Sequence, residues 1–302
     1  MIHRTVPFAI GTLLMALGSM ACLDTDFEQA WELRKLRILA VVATPPEVGP
    51  GEELRLEALS WAPEDAPVSH HWEFCLVTGA PADGYPCEAL PGVPDLDGLD
   101  PRTGDLVTLL NPLDEAMTDT LCEALAGFTG EPCVLGVPIM VRLSARSGEE
   151  ERVSVRQVLL LTAAASARPD RNLPPEVPAL TWDGLPLGPE DPTPVPTPAE
   201  GEDVRLQIAV PGTSAQSFED PRTGEERVET LTASWFTTAG ELEFRRTFFG
   251  PRAPMAELQR NRLSPTTARP LEPGSTLDLV VVLRDNRGGV ASIQRRVLLE
   301  HR

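Results

Sequence analysis

The chain has 302 residues and a formal net charge of −19, from 45 acidic against 26 basic side chains. Lys35 is its only lysine, and the rest of the positive charge is arginine. That balance excludes the basic footprint of a nucleic-acid binder and offers no polybasic membrane patch. It suits a soluble, self-repelling surface. With 31 prolines, 23 glycines and few long helical periods, the composition predicts a loop-rich, all-β protein.

The N-terminus comes first in chain order. His3 and Arg4 precede an uncharged apolar run, Thr5 to Ala21, which ends at Cys22. This is the layout of a secretory signal with small residues before the cut. Gly11, Gly18 and Ser19 interrupt the run, and it falls short of the ~20 apolar residues of a comfortable membrane span. Ser19-Met20-Ala21-Cys22 resembles a bacterial lipobox, although Ser19 stands where such motifs usually carry leucine. The resemblance implies a signal peptide over 1–21 and a lipid on Cys22. Acyl chains hold a soluble domain on a membrane at roughly 0.8 kcal/mol per buried CH₂. The other reading is an ordinary cut near Ala21 that leaves Cys22 a free thiol. Residues 22–35 then read as a spacer with one apolar contact point, Trp31, either a flexible tether or a short helix from Asp26 to Arg37.

Strand signals follow. Leu36 to Ala43 is a short β-compatible run, and Leu54 to Ala58 alternates apolar and polar residues with period two. Val68 to Val77 is centred on Trp72. Val137 to Leu143 alternates again, turns at Ser147-Gly148-Glu149, and pairs back through Val153 to Leu161 as a hairpin. Between these lies an insert. Asn111-Pro112-Leu113-Asp114 reads as a helix cap with proline in the first turn. Leu113, Met117, Leu121 and Leu125 share one helical face, and Gly127 and Gly130 end it.

Setting Cys22 aside leaves Cys75, Cys87, Cys122 and Cys133, an even set for an oxidising compartment. Three pairings are possible. The local one, Cys75–Cys87 and Cys122–Cys133, closes the shortest loops and is the expected one; the second bond would staple the insert helix to its return. The eleven and ten intervening residues do not fit the close cysteine pairs of structural zinc sites.

Proline clusters from Ser166 to Gly201, with Pro192, Pro194, Pro196 and Pro198 at every second place. Residues 166–171 read as a linker, Pro178 to Trp182 as a strand and 186–200 as a solvated extended loop. Strands resume at Val204 to Ile208, at Glu229 to Thr237 around Trp235, and at Thr276 to Arg284. A turn over Asp285 to Gly289 leads into Val290 to Leu299.

The chain repeats itself. Gly51-Glu52-Glu53-Leu54-Arg55-Leu56 matches Gly201-Glu202-Asp203-Val204-Arg205-Leu206. Each copy precedes a tryptophan strand, and each half closes with Arg-x-Val-Leu-Leu, at Arg156 and Arg295. A second repeat, Asp100 to Gly104 and Asp220 to Gly224, falls at non-equivalent places and reflects turn chemistry alone.

These features resemble exported bacterial lipoproteins with tandem immunoglobulin-like or PKD-like domains. The resemblance rests on the signal ending at Cys22, on Pro50 to Leu56, on Trp72 and Trp235, and on Leu279 to Gly289. It implies two tandem Ig-like β-sandwiches, over 36–165 and 172–302. An inter-sheet cysteine pair and a tyrosine corner are both missing, since Tyr85 is the only tyrosine.

The sequence offers little chemistry. There is no nucleophile elbow and no cofactor motif. His70 and His71 are neighbours in an expected strand and so face opposite ways. Asp95, Asp97, Asp100 and Asp105 resemble part of a calcium loop but lack the EF-hand order. Phe248-Phe249, after two arginines, could edge a binding surface. The expected function is a non-catalytic envelope protein, tethered through its N-terminal lipid, with an outer-membrane location favoured by Leu23. It would present its domains to an envelope protein or polysaccharide, or serve as a structural subunit, with the 111–133 insert as contact element. The alternatives are a calcium-dependent adhesion module using residues 95–105 and a hydrolase with a site scattered through loops.

Overall fold

The computed structural model describes residues 31–89, 99–129, 133–189, 192–199 and 201–301. Its first half contains β1 (Arg37–Thr44), β2 (Glu47–Val48), β3 (Glu53–Trp61), β4 (Ser69–Cys75), β5 (Val77–Thr78), β6 (Cys87–Glu88), β7 (Arg102–Thr103) and β8 (Leu106–Leu110). Helix α1 (Glu115–Thr129), β9 (Gly136–Ser147) and β10 (Glu150–Leu161) complete it. Side chains alternate across a strand, so Leu54 and Leu56 turn inward while Glu53, Arg55 and Glu57 face out. Sheets β1-β3-β8 and β2-β10-β9-β4-β7 enclose a core around Trp72, Leu143 and Val158.

The expected helix forms, and its apolar face is part of this core: Leu121 and Leu125 are buried, as is Leu113 just before it. Its cap is Asp114, whose Oδ1 accepts from Met117 N–H at 2.8 Å. Asn111, the expected cap, instead donates to the carbonyls of Val48 and Gly49. The helix runs through Gly127 to Thr129.

After α2 (Ala163–Ser166) come β11 (Ala179–Trp182), β12 (Leu185–Pro186), β13 (Thr193–Pro196), β14 (Val204–Ala209), β15 (Ser217–Glu219) and β16 (Glu226–Val228). Then follow β17 (Leu231–Thr237), β18 (Glu241–Leu242), β19 (Arg246–Phe249), β20 (Arg260–Ser264), β21 (Thr276–Asp285) and β22 (Val290–Glu300). Sheets β12-β11-β14-β20-β18 and β13-β22-β21-β17-β19 enclose Trp182, Trp235, Leu206 and Leu279. The protein is all-β, with two tandem Ig-like sandwiches, the first carrying a helical insert. Both copies share a plan. A short strand runs parallel to the last strand, β2 to β10 and β13 to β22. The tryptophan strand pairs with the first strand of the closing hairpin, β4 with β9 and β17 with β21. Gly51 and Gly201, opening the matched segments, both have positive φ, 70° and 77°. The Asp-Pro-Arg-Thr-Gly copies differ: one forms β7, the other the turn between β15 and β16.

Three segments depart from expectation. The proline-rich run is not wholly a solvated loop, because β13 joins the sheet edge and buries Val195. Proline at alternate places leaves the intervening donors free to pair: Thr197 N–H reaches Glu300 O at 2.9 Å. The spacer is neither helix nor tether over residues 31–35. Trp31 lies in the second core under Arg269, 4.7 Å from the ring centroid. Around it, Thr237 N–H donates to Trp31 O and Leu33 N–H to Thr237 O. Residues 166–171 are fastened rather than loose. Asp170 pairs with Arg168 and accepts from Glu219 N–H, and Arg171 grips Glu52 through two bonds of 2.8 and 2.6 Å.

The sandwiches pack face to face. Leu39, Ala40 and Trp61 of the first meet Val280, Val282 and Val290 of the second, with Leu33 between them. This explains why β21 does not alternate: Leu279, Val281 and Leu283 enter the second core while Val280 and Val282 enter the joint. Polar groups close the joint. Trp61 Nε1–H donates to Asp278 at 2.9 Å, and Arg296 bridges Asp278 and Asp65. Arg287 binds Glu47 at 3.0 Å, Glu229 at 3.3 Å and Asp170 O at 2.9 Å, and stacks on Phe218.

Burial pushes the Glu229 carboxyl up to about 7, against the opposing pull of Gln216 N–H and Arg287. The unfolded chain loses this proton near the ordinary 4.5, so Glu229 makes the fold progressively less stable as pH rises from there toward 7. Glu229→Gln removes that slope. In urea titrations across this range, the wild type should lose on the order of 2 kcal/mol relative to the variant. Parallel profiles would contradict it.

Candidate functional site

At one end of the first sandwich the inward-facing rows of both sheets turn polar. Ser60 continues the row of Leu54 and Leu56 on β3, and His70 that of Trp72 on β4. Across the gap, Ser60 Oγ lies 2.9 Å from His70 Nε2, and His70 Nδ1 lies 2.7 Å from Asp105 Oδ1. A carboxylate only accepts, so Nδ1 carries a proton, and in the neutral ring Nε2 accepts from the Ser60 hydroxyl. The loop before β8 places Asp105. Trp72 Nε1–H and Gly104 N–H tie it to β4, donating to Gly104 O and His70 O respectively. Ala58 N–H bonds Asp105 O. Gly104 adopts φ 118°, a value open to glycine. A cavity of about 460 Å³ opens over the three side chains, rimmed by Arg55, Glu57, Val68 and Leu106.

The three residues form a hydroxyl–imidazole–carboxylate chain. Two features limit its chemistry. The Asp105 side chain is 79% exposed, so water screens its field at the imidazole. Ser60 lies within the ladder opposite Ile38, not on a tight turn whose free N–H groups could meet a developing oxyanion. What the arrangement does achieve is to satisfy both ring nitrogens of a histidine only 6% exposed. The sequence reading separates His70 from His71 correctly, one buried and one exposed. It misses the partners of His70. Shared parity with Leu54 and with Trp72 was the available signal.

The other expected site residues scatter. Cys22, Asp95 and Asp97 lie outside the described residues. Asp100 is exposed, and Asp105 is committed to His70. Among the described residues no group of His, Cys, Asp or Glu gathers as metal ligands, and no helix is long and apolar enough to cross a membrane. Cys75 and Cys87 are bonded, with Cα atoms 5.4 Å apart, and tie the end of β4 to β6. The expected second staple is not formed: Cys122 and Cys133 are free thiols that hydrogen-bond to each other. Burial, then the neighbouring thiol, pushes Cys122 up to about 12. Phe248 is half exposed on edge strand β19, while Phe249 packs on the second core. Trp61 and Trp182 are both buried.

No protein-family model matches the sequence, and comparison with curated proteins finds no match. Among solved structures, a chimeric titin Z1Z2 tandem aligns over 88% of this chain and 99% of its own, at 12% identity and a TM-score of 0.24. Eight N-terminal Ig domains of Down syndrome cell adhesion molecule align over 89% of this chain and 25% of theirs, at 11% and 0.23. The Yersinia pseudotuberculosis adhesin InvE aligns over 85% and 58%, at 9% and 0.19. Overlays this loose bear no functional argument; the assignment to Ig-like sandwiches rests on the strand order above.

Ser60→Ala should cost about 1–2 kcal/mol in denaturant unfolding, because it leaves His70 Nε2 buried without a donor. A fluorophosphonate probe should leave Ser60 unmodified by mass spectrometry; stoichiometric labelling would overturn the structural reading of this chain.

Proposed function

We propose that this is a lipid-anchored, non-catalytic protein of the cell envelope, most simply of the outer membrane. In this reading its two sandwiches act as one rigid unit that binds an envelope protein or polysaccharide, or serves as a structural subunit. The observation that carries the reading is the seating of Trp31 and Leu33. Nine positions separate Cys22 from Trp31, at most about 30 Å of extended chain, and Trp31 is fixed in the second core. A lipid on Cys22 would therefore hold a stiff body close to the membrane rather than two beads on a string. The joint of Val280, Val282, Leu39 and Trp61 supplies the stiffness. The outer surface of α1 is the proposed contact element, its inner face being committed to the core.

A hydrolase is the second reading, and the Ser60–His70–Asp105 chain is what favours it. Screening of Asp105 and the mid-strand setting of Ser60 weigh against it.

The test is chemical. Cells expressing the full chain should incorporate labelled palmitate at Cys22 and retain the protein in the membrane fraction. Cys22→Ala should abolish the label and release the protein to the soluble fraction. Wild-type protein with an unmodified Cys22, or one cut elsewhere, would sink the anchor.

A further inference from the structure

Strand β8 is the outer strand of its sheet, with no strand beyond it among the described residues. Ala58 N–H donates to Asp105 O, and Asn111 N–H to Glu52 O. In an antiparallel ladder the bonded pairs recur at every second residue, so Asp105, Val107, Leu109 and Asn111 turn their backbone groups toward β3. Leu106, Thr108 and Leu110 therefore turn theirs to the open side. Outside the β3 ladder no hydrogen bond of the described residues engages them. Their side chains stand on the outer face, with Leu106 45% and Leu110 62% exposed.

Sheet edges are normally protected by shortness, charge, proline or cover. Every other edge of the four large sheets follows this rule. Strands β2, β7, β12 and β18 are two residues long. β13 carries Pro194 and Pro196, and β19 carries Arg246. On the open side of β1, Arg284 donates to Leu39 O at 2.6 Å and Arg156 to Val41 O at 2.8 Å. The five residues of β8, Leu-Val-Thr-Leu-Leu, have no charge or proline, and no cover among the described residues.

The outward-facing triplet also reads the same in both directions: Leu106, Thr108, Leu110. Turned antiparallel about Thr108, a second β8 sets Leu106 against Leu110, Thr108 against Thr108 and Leu110 against Leu106. These are the residues whose backbone groups are free. Apolar pairs and a Thr–Thr pair are favourable across strands. The next row in, Glu53, Arg55 and Glu57 on β3, is symmetric too and stays clear of its own image.

We propose that β8 is a self-association edge: two copies of this chain pair β8 with β8, antiparallel about Thr108, and fuse their three-stranded sheets into one. Such a contact buries less than the ~1,000 Å² of a stable interface, so the dimer is weak free in solution. It is favoured where tethering to one surface raises the effective concentration. That last clause rests on the anchor proposed above; the pairing does not.

The test uses the full chain carrying Cys22→Ala, without lipid. Sedimentation at rising concentration should show a reversible dimer. Adding Thr108→Cys should give, on mild oxidation, a covalent dimer whose only new linked peptide joins residue 108 to residue 108. Gln207→Cys, exposed on β14, should give no covalent dimer under the same oxidation. Leu110→Lys should weaken the dimer at least about tenfold, and Thr108→Pro, which removes an outward N–H and no bond to β3, should do the same. Circular dichroism checks that both variants fold. A monomer up to about 1 mM, a dimer indifferent to both edge variants, or linkage of the thiol introduced at position 108 to any other residue or protein overturns the proposal. An unlipidated Cys22 in cells would fell the anchor and leave this result standing.

Discussion

The structure depends on a contact that neither sandwich makes alone. The outer face of β1 and β3 lies on the outer face of β17, β21 and β22, with Leu39, Ala40, Trp61, Val280, Val282 and Val290 between them. Isolated, either surface would be an apolar patch on a strongly acidic protein, an exposure that monomeric proteins avoid. Joined, they turn a pair of modest domains into one body. Polar bonds at the rim fix the register: Trp61 to Asp278, Arg284 to Leu39 O, and Arg287 to Glu47 and Glu229. Such buried ion pairs contribute little net stability against their desolvation cost. Their consequence is geometric, since Arg287 has partners in the first sandwich, the linker and the second sandwich at once.

Around this joint the rest acquires a role. The linker is held by Arg168, Asp170 and Arg171, so it transmits position rather than allowing swing. Trp31 and Leu33 bring the start of the described chain onto the second sandwich before β1 builds the first. Arg156 and Arg284, one from each sandwich, cover the open carbonyls of β1. The edge at β8 lies at the other margin of that sheet and is left uncovered.

The polar chain at the mouth of the first sandwich links a serine, a histidine and a carboxylate. Ser60, His70 and Asp105 have the residue types and spacing of a nucleophilic relay. Here the carboxylate is exposed and the serine sits within a regular strand. A buried imidazole with both nitrogens satisfied is the ordinary outcome of a core that ends in polar residues.

The sequence by itself determined the long core strands, the duplication, the helix and the tryptophan cores, but not short edge strands such as β8 and β13. All depend on period and local turn chemistry, which are properties of neighbouring residues: Leu54 and Leu56 alternate, Leu121 and Leu125 share a helical face, and Gly51 and Gly201 permit the same turn. Only the tertiary structure decided the rest. The unbroken run from Leu279 to Leu283 could not reveal that its second face meets another domain. Proline spacing at 192–198 could not show that Val195 pairs with the last strand. Three residues drawn from two strands and a loop, Ser60, His70 and Asp105, have no local pattern linking them. Long-range contacts leave only partial traces in the periods of a single segment, because each side chain's partner is set by where another segment folds.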